Sequence, residues 1–430
     1  MRKDQSTMSR DEIRPGLAFP DRFLRIVYIA AIFGIGLSAR GAAYTKLKGG
    51  IIPFIFCAAI DFCFRFKLDS AKTLWAFLKK YAQYILLLTI VSLVVYVSDT
   101  SDTALIARGM QKVFYQILTV LGAVCAVYEF REKAPLYTYQ GLVLANGFMI
   151  LVAAKETGSV SQIVADFRYF LTSGFDAQGF MRILELHEDT FAFGVLMVWF
   201  MLDGIKKNKW KLLVCMFFFF LGFKRIGMFG IFVAATLYLL TRKLSDDSLK
   251  KVLISVMIGM MAYGFLYVWF VRSGGFVKLM DELNIDLMGR QNLYKFIEDY
   301  YVISPLFMGH GFESIEHILK GAGDIKVANT YISRMSALHC DYLAMYIQMG
   351  FLGYIAWMYY RFIDVTRFCE KYGRKAMLAW ALSMIYLGIT YMTDNTSMYF
   401  LPCMVQFMIP LAFAIKKGED YGSDNQEPEQ

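Results

Sequence analysis

The sequence predicts an all-α, polytopic transmembrane helical protein with about 12 spans. Three observations carry that prediction. Hydrophobic residues make up 57% of the chain and charged residues only 19%. The apolar residues gather in long runs, and short clusters of Lys and Arg recur between them. Ordinary soluble domains hold roughly 25% charged residues, so this chain lacks the means to cover itself with a charged surface.

A helix needs about 20 mostly apolar residues to cross the hydrocarbon core. Runs of that kind are Phe23–Ser38, Tyr81–Ser98, Val113–Phe130, Leu136–Ala154, Arg225–Thr241, Val252–Val271, Tyr342–Tyr360, Met377–Met392 and Met398–Ile415. Shorter runs are Ile51–Phe64, which Asp61 interrupts, Phe191–Leu202 and Leu212–Phe223. The charge pattern needs these as spans too. Cytoplasmic loops collect Lys and Arg. With the N-terminus inside, every second connection is basic: Arg65–Lys80, Arg131–Lys133, Lys206–Lys211, Arg242–Lys251, Arg361–Lys375 and Lys416–Lys417. The intervening Asp99–Asp102 and Thr393–Thr396 turns are acidic or neutral. Both termini are therefore expected in the cytoplasm.

The net charge of +9 follows from this bias and gives no reason to expect a nucleic-acid partner. The chain divides into a cytoplasmic N-terminal segment (1–22), a transmembrane bundle (23–271), an extracytoplasmic loop with short amphipathic helices (272–338), a C-terminal transmembrane bundle (339–417) and a disordered cytoplasmic tail (418–430). No cleavable signal peptide is expected, because no small-residue cleavage site follows the first apolar run. The seven cysteines lie mostly in spans or on the inner side and suggest no disulfide framework. No internal repeat is evident.

Two outer segments exceed a simple turn, Lys155–Thr190 and Arg272–Leu338. The second is roughly 65 residues long, and loops of that length are usually functional or disordered. Leu293, Phe296, Ile297 and Tyr300 fall at helical spacing, as do Phe312, Ile315 and Leu319, so short amphipathic helices are expected there. All four histidines lie in these two segments. Surface histidines without a role account equally well for His187 and His317. His310 sits between Gly309 and Gly311, where backbone can approach a ligand closely, although a turn alone explains the pattern. His339 stands at the junction of loop and span, where an imidazole can take a proton from a hydroxyl. The competing role is a polar helix start, which Asp341 fills as readily.

Lys224 and Arg225 open a span at a tight outer turn, a costly place for charge unless it is used or snorkels to the headgroups. Arg290 follows Gly289 and presents a planar fork of donors suited to phosphate. At about 4 Å and an effective dielectric of about 20, one such charge contributes roughly 4 kcal/mol toward a phosphate charge. No P-loop, His-Glu-x-x-His or paired Cys-x-x-Cys motif occurs, so neither ATP hydrolysis nor zinc chemistry is expected.

In their order these features resemble the O-antigen polymerase and O-antigen ligase-like superfamily of bacterial envelope glycan-assembly membrane proteins. The residues concerned are Lys224-Arg225-Ile226-Gly227-Met228-Phe229-Gly230, Gly289-Arg290 with Tyr294, Ser304-Pro305-Leu306 leading to Gly309-His310-Gly311, and His339 through Gly353. The family pattern has His-Asn and often a Glu before the glycine, where this chain has Cys340 and Gln348. The resemblance spans about Phe191 to Tyr360.

It implies a fold similar to the C-type glycosyltransferases, in the bacterial cytoplasmic (inner) membrane. The implied activity is a glycosyltransferase using a polyprenyl-pyrophosphate-linked glycan, without metal or cofactor. A polymerase of O-antigen, capsule or exopolysaccharide joins undecaprenyl-pyrophosphate-linked repeat units at the outer face. The implied partners are that lipid-linked donor and acceptor, membrane lipids, and flippase and chain-length regulator proteins. His339 becomes the base, and Arg225 and Arg290 bind the leaving pyrophosphate. Lys224, His310, Glu313, Asp341 and Tyr342 are expected to contact substrate. A ligase uses the same parts. A transporter is the third reading, and the gathering of ionisable residues outside the spans argues against it.

Overall fold

The computed structural model describes residues 19–38, 47–64, 68–99, 102–157, 161, 165, 168, 187–222, 224–284, 290–321, 325–327, 330–332 and 338–424. Most of the expected N-terminal segment and of the first outer segment, Gly289, and the tail after 424 lie outside the described residues. The helices are α1 (Asp21–Ser38), α2 (Ile51–Phe64), α3 (Leu68–Asp99), α4 (Thr103–Phe130), α5 (Ala134–Thr157), α6 (His187–Leu221), α7 (Arg225–Thr241) and α8 (Asp246–Arg272). Three short ones follow, α9 (Gly275–Glu282), α10 (Arg290–Ile297) and α11 (Ser314–Gly321). Then come α12 (Asp341–Met358), α13 (Val365–Glu370), α14 (Arg374–Thr390) and α15 (Phe400–Asp424).

Local chemistry sets the ends. Asp102 caps α4, its carboxylate accepting from the Ala104 and Leu105 amides. Ser245 does the same for α8 through the Ser248 amide. Every residue of α14 from Ala376 to Thr390 is buried, so this helix is apolar all round and forms the centre of the bundle. Helix α7 packs along it so closely that a Cβ on Gly230 would lie 3.0 Å from the Tyr386 carbonyl.

Among the described residues, five helical stretches are long and apolar enough to cross a membrane: Leu47–Phe64, Ala71–Ser98, Thr103–Lys155, Asp246–Arg272 and Phe400–Lys417. Arg225–Thr241 is a shorter apolar helix. Helices α6 and α12 are broken, at Gly204 (φ 125°) and Gly350 (φ 69°), which divides their apolar runs.

The basic connections meet at one end of the bundle. Lys416 reaches Glu132 at 2.9 Å and Asp203 at 3.6 Å, and Lys250 reaches Glu370 at 2.7 Å. Arg374 donates to the Thr241 and Leu244 carbonyls and to Asp246. The long loop docks at the opposite end, where Arg290 donates to the Thr393 carbonyl at 3.2 Å.

Some expectations are corrected. Among the described residues the fold is helical as expected apart from one short antiparallel hairpin in the loop, β1 (Ile325–Val327) and β2 (Thr330–Ile332), with Lys326 opposite Tyr331. The segment Arg361–Lys375 is not all surface loop. The chain leaves α12 through a π-helical turn, Tyr359–Asp364, and continues in α13 to Glu370, with Arg361 wholly buried. Helix α15 also runs into the expected tail as far as Asp424.

Helix α12 folds sharply at Gly350. Tyr342 and Trp357 both pack on Tyr391, with ring centroids at 5.6 and 5.7 Å. A straight helix would hold those two positions about 22 Å apart along its axis. The break frees backbone groups, and residues 307–311 satisfy them. His310 N–H donates to the Ile347 carbonyl at 3.0 Å and Gly311 N–H to the Gln348 carbonyl at 2.9 Å. In return Phe351 N–H donates to the Phe307 carbonyl at 2.8 Å. The approach needs glycine on both sides. Gly309 and Gly350 have φ of 84° and 69°, and a Cβ on Gly309 would lie 2.4 Å from Gly350 N.

Candidate active site

The turn joining α14 to α15 organises the site. It receives α10 from one side and the start of α12 from the other. Arg290, the first residue of α10, is half-buried and donates from Nη2 to the Thr393 carbonyl at 3.2 Å. The Asp341 amide donates to the next carbonyl, that of Asp394, at 3.2 Å. Asp341 itself is buried, and Ser397 engages both its oxygens: the amide meets Oδ2 at 2.7 Å and the hydroxyl meets Oδ1 at 2.6 Å. Asp394 accepts from the Tyr399 hydroxyl at 2.6 Å. Arg290, Asp341 and the chain leading to His339 are thereby fixed to one short turn.

His339 is half-buried and takes φ of 52°, in the left-handed region that a non-glycine residue enters at a cost of order 1–3 kcal/mol. Cys340 beside it is fully buried, and burial pushes its thiol up to about 12. The imidazole therefore stands at the border between a dry interior and the surface. Tyr342 packs wholly inside, against Tyr263, Tyr267 and Tyr391, which makes it a wall of the site.

Two expected substrate contacts lie on the other half of the loop. The Nε2 atom of His310 is 2.6 Å from the Tyr300 carbonyl, tying two stretches of loop together. Glu313 is buried, has φ of 70°, and pairs with Lys112 of α4 at 3.5 Å. The Glu313 amide donates to Gln348 Oε1 at 3.2 Å, so Gln348 serves as an acceptor for the loop. His317 pairs with Asp102 at 2.8 Å. Hydrogen bonds to the Leu105 and Ala104 amides, with His317 and Arg108 nearby, hold the exposed Asp102 carboxyl below the usual range.

Lys224 caps α7 and Arg225 begins it, exposed. Five residues on, Gly230 abuts Tyr386 and Ile389 of α14, which places Arg225 about 7.5 Å nearer the end where the α14–α15 turn lies. Arg225 thus shares the end of the bundle with Arg290.

Sequence reading marked Thr393–Thr396 as an outer turn but missed its place in the site, since it carries no motif, and missed an apolar groove beside it. The groove, about 430 Å³, is lined by Tyr263, Leu266, Trp269, Phe270, Phe276 and Met392 among others. Met392 precedes Thr393, so a cation stands next to an apolar channel. That pairing suits an amphiphile with an anionic head.

No curated protein and no solved structure matches the chain. A family model does match residues 210–358, a stretch that holds all eight of the site candidates, and its description is O-antigen ligase. Together with the apolar helices, that match supports the resemblance to the O-antigen ligase and polymerase-like superfamily of membrane glycan-assembly enzymes.

Proposed function

We propose that the protein is a polysaccharide polymerase, joining polyprenyl-pyrophosphate-linked repeat units at the outer face of the cytoplasmic membrane. The observation that carries the reading is the convergence of Arg290, Asp341 and the His339 segment on the Thr393–Ser397 turn, beside the apolar groove. The basic end, with Lys416, Lys250 and Arg374, faces the cytoplasm under the positive-inside rule. The site end then faces outward.

In this reading the polyprenyl chain lies along the groove and its pyrophosphate meets Arg290. Only Nη2 of Arg290 is committed to Thr393, so the rest of its fork faces an anion. An acceptor sugar hydroxyl attacks the anomeric carbon of the donor. The new glycosidic C–O bond forms as the bond to pyrophosphate breaks, the hydroxyl proton passes to His339, and the electron pair leaves on the phosphate oxygen. Arg290 and Arg225 neutralise that charge, and preorganised cations in a partly dry site are usually the largest catalytic contribution. Asp341 holds the helix start and is engaged by Ser397 at both oxygens, which supports His339 rather than Asp341 as the base in this reading.

A ligase that moves a finished glycan to another acceptor is the second reading, favoured by the description of the matching family. Lipid-linked glycans in cells lacking the protein separate the two. Single lipid-linked repeat units accumulate if it polymerises, and long lipid-linked chains accumulate if it ligates. An unchanged profile overturns both.

A further inference from the structure

Arg361 is the most deeply placed cation in the described bundle, and no role above uses it. It sits in the π-helical turn Tyr359–Asp364 with 0% of its surface exposed. Its Nη2 donates to the Tyr391 hydroxyl at 2.6 Å and to Gln406 Oε1 at 2.8 Å. The guanidinium lies 5.3 Å from the Tyr84 ring centroid and 5.9 Å from that of Tyr391. Trp380 Nε1 fixes the backbone by donating to the Arg361 carbonyl at 2.9 Å.

What is missing is an acceptor. Arg361 Nε and Nη1 are buried with no hydrogen-bond partner. The Tyr84 hydroxyl and Trp357 Nε1, on the rings that flank this place, are likewise buried, with the Trp357 N–H directed at the Tyr84 oxygen. Among the described residues no carboxylate forms an ion pair with Arg361. Asp341, whose charge reaches it through space, has both oxygens committed to Ser397. A fully buried cation costs several kcal/mol after relaxation unless it is matched by opposite charge and its N–H groups are bonded. Aromatic faces offset part of that cost and give the N–H groups no lone pair.

The atoms of the guanidinium left without a partner, Nε and Nη1, are both donors. Water would bring two more donors to satisfy, whereas a small monovalent anion brings only acceptor capacity and the missing charge. We infer that the pocket bounded by Arg361, Tyr84, Trp357 and Tyr391 binds a chloride-sized anion as a structural counter-ion inside the bundle. The anion is sealed from the outer site and takes no part in the transfer. It locks Arg361 and hence Tyr391, whose ring carries both halves of the folded α12.

The test is thermal unfolding of the purified full-length protein in detergent, with sodium chloride exchanged for sodium gluconate at fixed ionic strength. The melting temperature rises with chloride and saturates, and bromide substitutes for chloride. Gln406→Glu places a carboxylate on the guanidinium, so this variant keeps a high melting temperature in gluconate and no longer responds to chloride. It also keeps the question open to disproof if Arg361→Gln fails to fold. Equal melting in chloride and gluconate for the unaltered protein overturns the inference. So does an undiminished chloride response in Gln406→Glu.

Discussion

Asp341 and Ser397 lie 56 positions apart in the chain and are joined twice, amide to Oδ2 and hydroxyl to Oδ1. The pair fastens the start of α12 to the turn before α15. Asp341→Asn presents an amide N–H₂ where one of the Ser397 donors points, so it lowers stability by about 1–3 kcal/mol. His339→Ala leaves the melting temperature near normal and lowers turnover about 10²–10⁴-fold. Melting curves and turnover of lipid-linked substrate, measured on both variants, check this. Near-normal turnover in His339→Ala ends its assignment as base.

Arg290 and Arg225 are expected to recognise phosphate through geometry as well as charge. Arg290→Lys keeps the cation and loses the fork, and activity falls about 10²-fold or more. Arg225→Lys gives a loss in the same direction. Wild-type glycan length in cells expressing the double alanine variant at normal protein level removes both residues from the mechanism.

Gly309 and Gly350 touch across the loop–helix junction, and each has positive φ. Alanine at Gly350 brings a Cβ within 2.3 Å of the Met308 carbonyl carbon, besides about 1–3 kcal/mol of backbone strain. Either alanine variant therefore melts lower and loses activity. The double variant loses less than the sum, because both break one contact. Additive losses would show that the two glycines act separately.

Cys340 is buried with its thiol held near 12, so the reactive thiolate is scarce at pH 8. In a protein retaining only this cysteine, a thiolate-seeking reagent leaves the native state unmodified and labels it after denaturation. Fast labelling of the native protein means that the interior beside His339 is wet.

Sidedness is tested with single cysteines in a cysteine-free background. Asp299 is exposed on the loop end and Lys417 lies at the basic end. A membrane-impermeant reagent labels Asp299→Cys in intact cells and labels Lys417→Cys only after permeabilisation. The reverse pattern inverts the orientation and with it the proposed site of reaction.

Hydropathy and periodicity made much of this protein legible. The run Arg225–Thr241 is helix α7 to the residue, Ile51–Phe64 is α2, and the two amphipathic patterns of the long loop fall on α10 and α11 except for Tyr300 and Phe312, which lie just outside them. Basic connections also meet one another's acidic neighbours, Lys416 with Glu132 and Arg374 with Asp246. Arg361 was counted in a basic connection, because composition reports what a residue is and not what encloses it. Tyr84 comes from α3, Tyr391 from the end of α14 and Gln406 from α15. Gly350 was visible as a glycine, but its break depends on donors supplied by residues 307–311. The Asp341–Ser397 clamp links positions no local pattern relates.

The exchange between residues 307–311 and the Gly350 break also bears on how the chain is made. Helix α12 carries carbonyls at Ile347 and Gln348 that its own backbone leaves to the loop amides of His310 and Gly311. Hydrocarbon offers no substitute donor, and each bare carbonyl there costs several kcal/mol. The donors come earlier in the sequence, so during synthesis they have emerged before the helix that needs them. The order of the two segments means that α12 can settle in the bilayer with its partner already waiting at the surface. A permuted chain that delivers the loop after the helix would have to hold those carbonyls in water until the loop arrived.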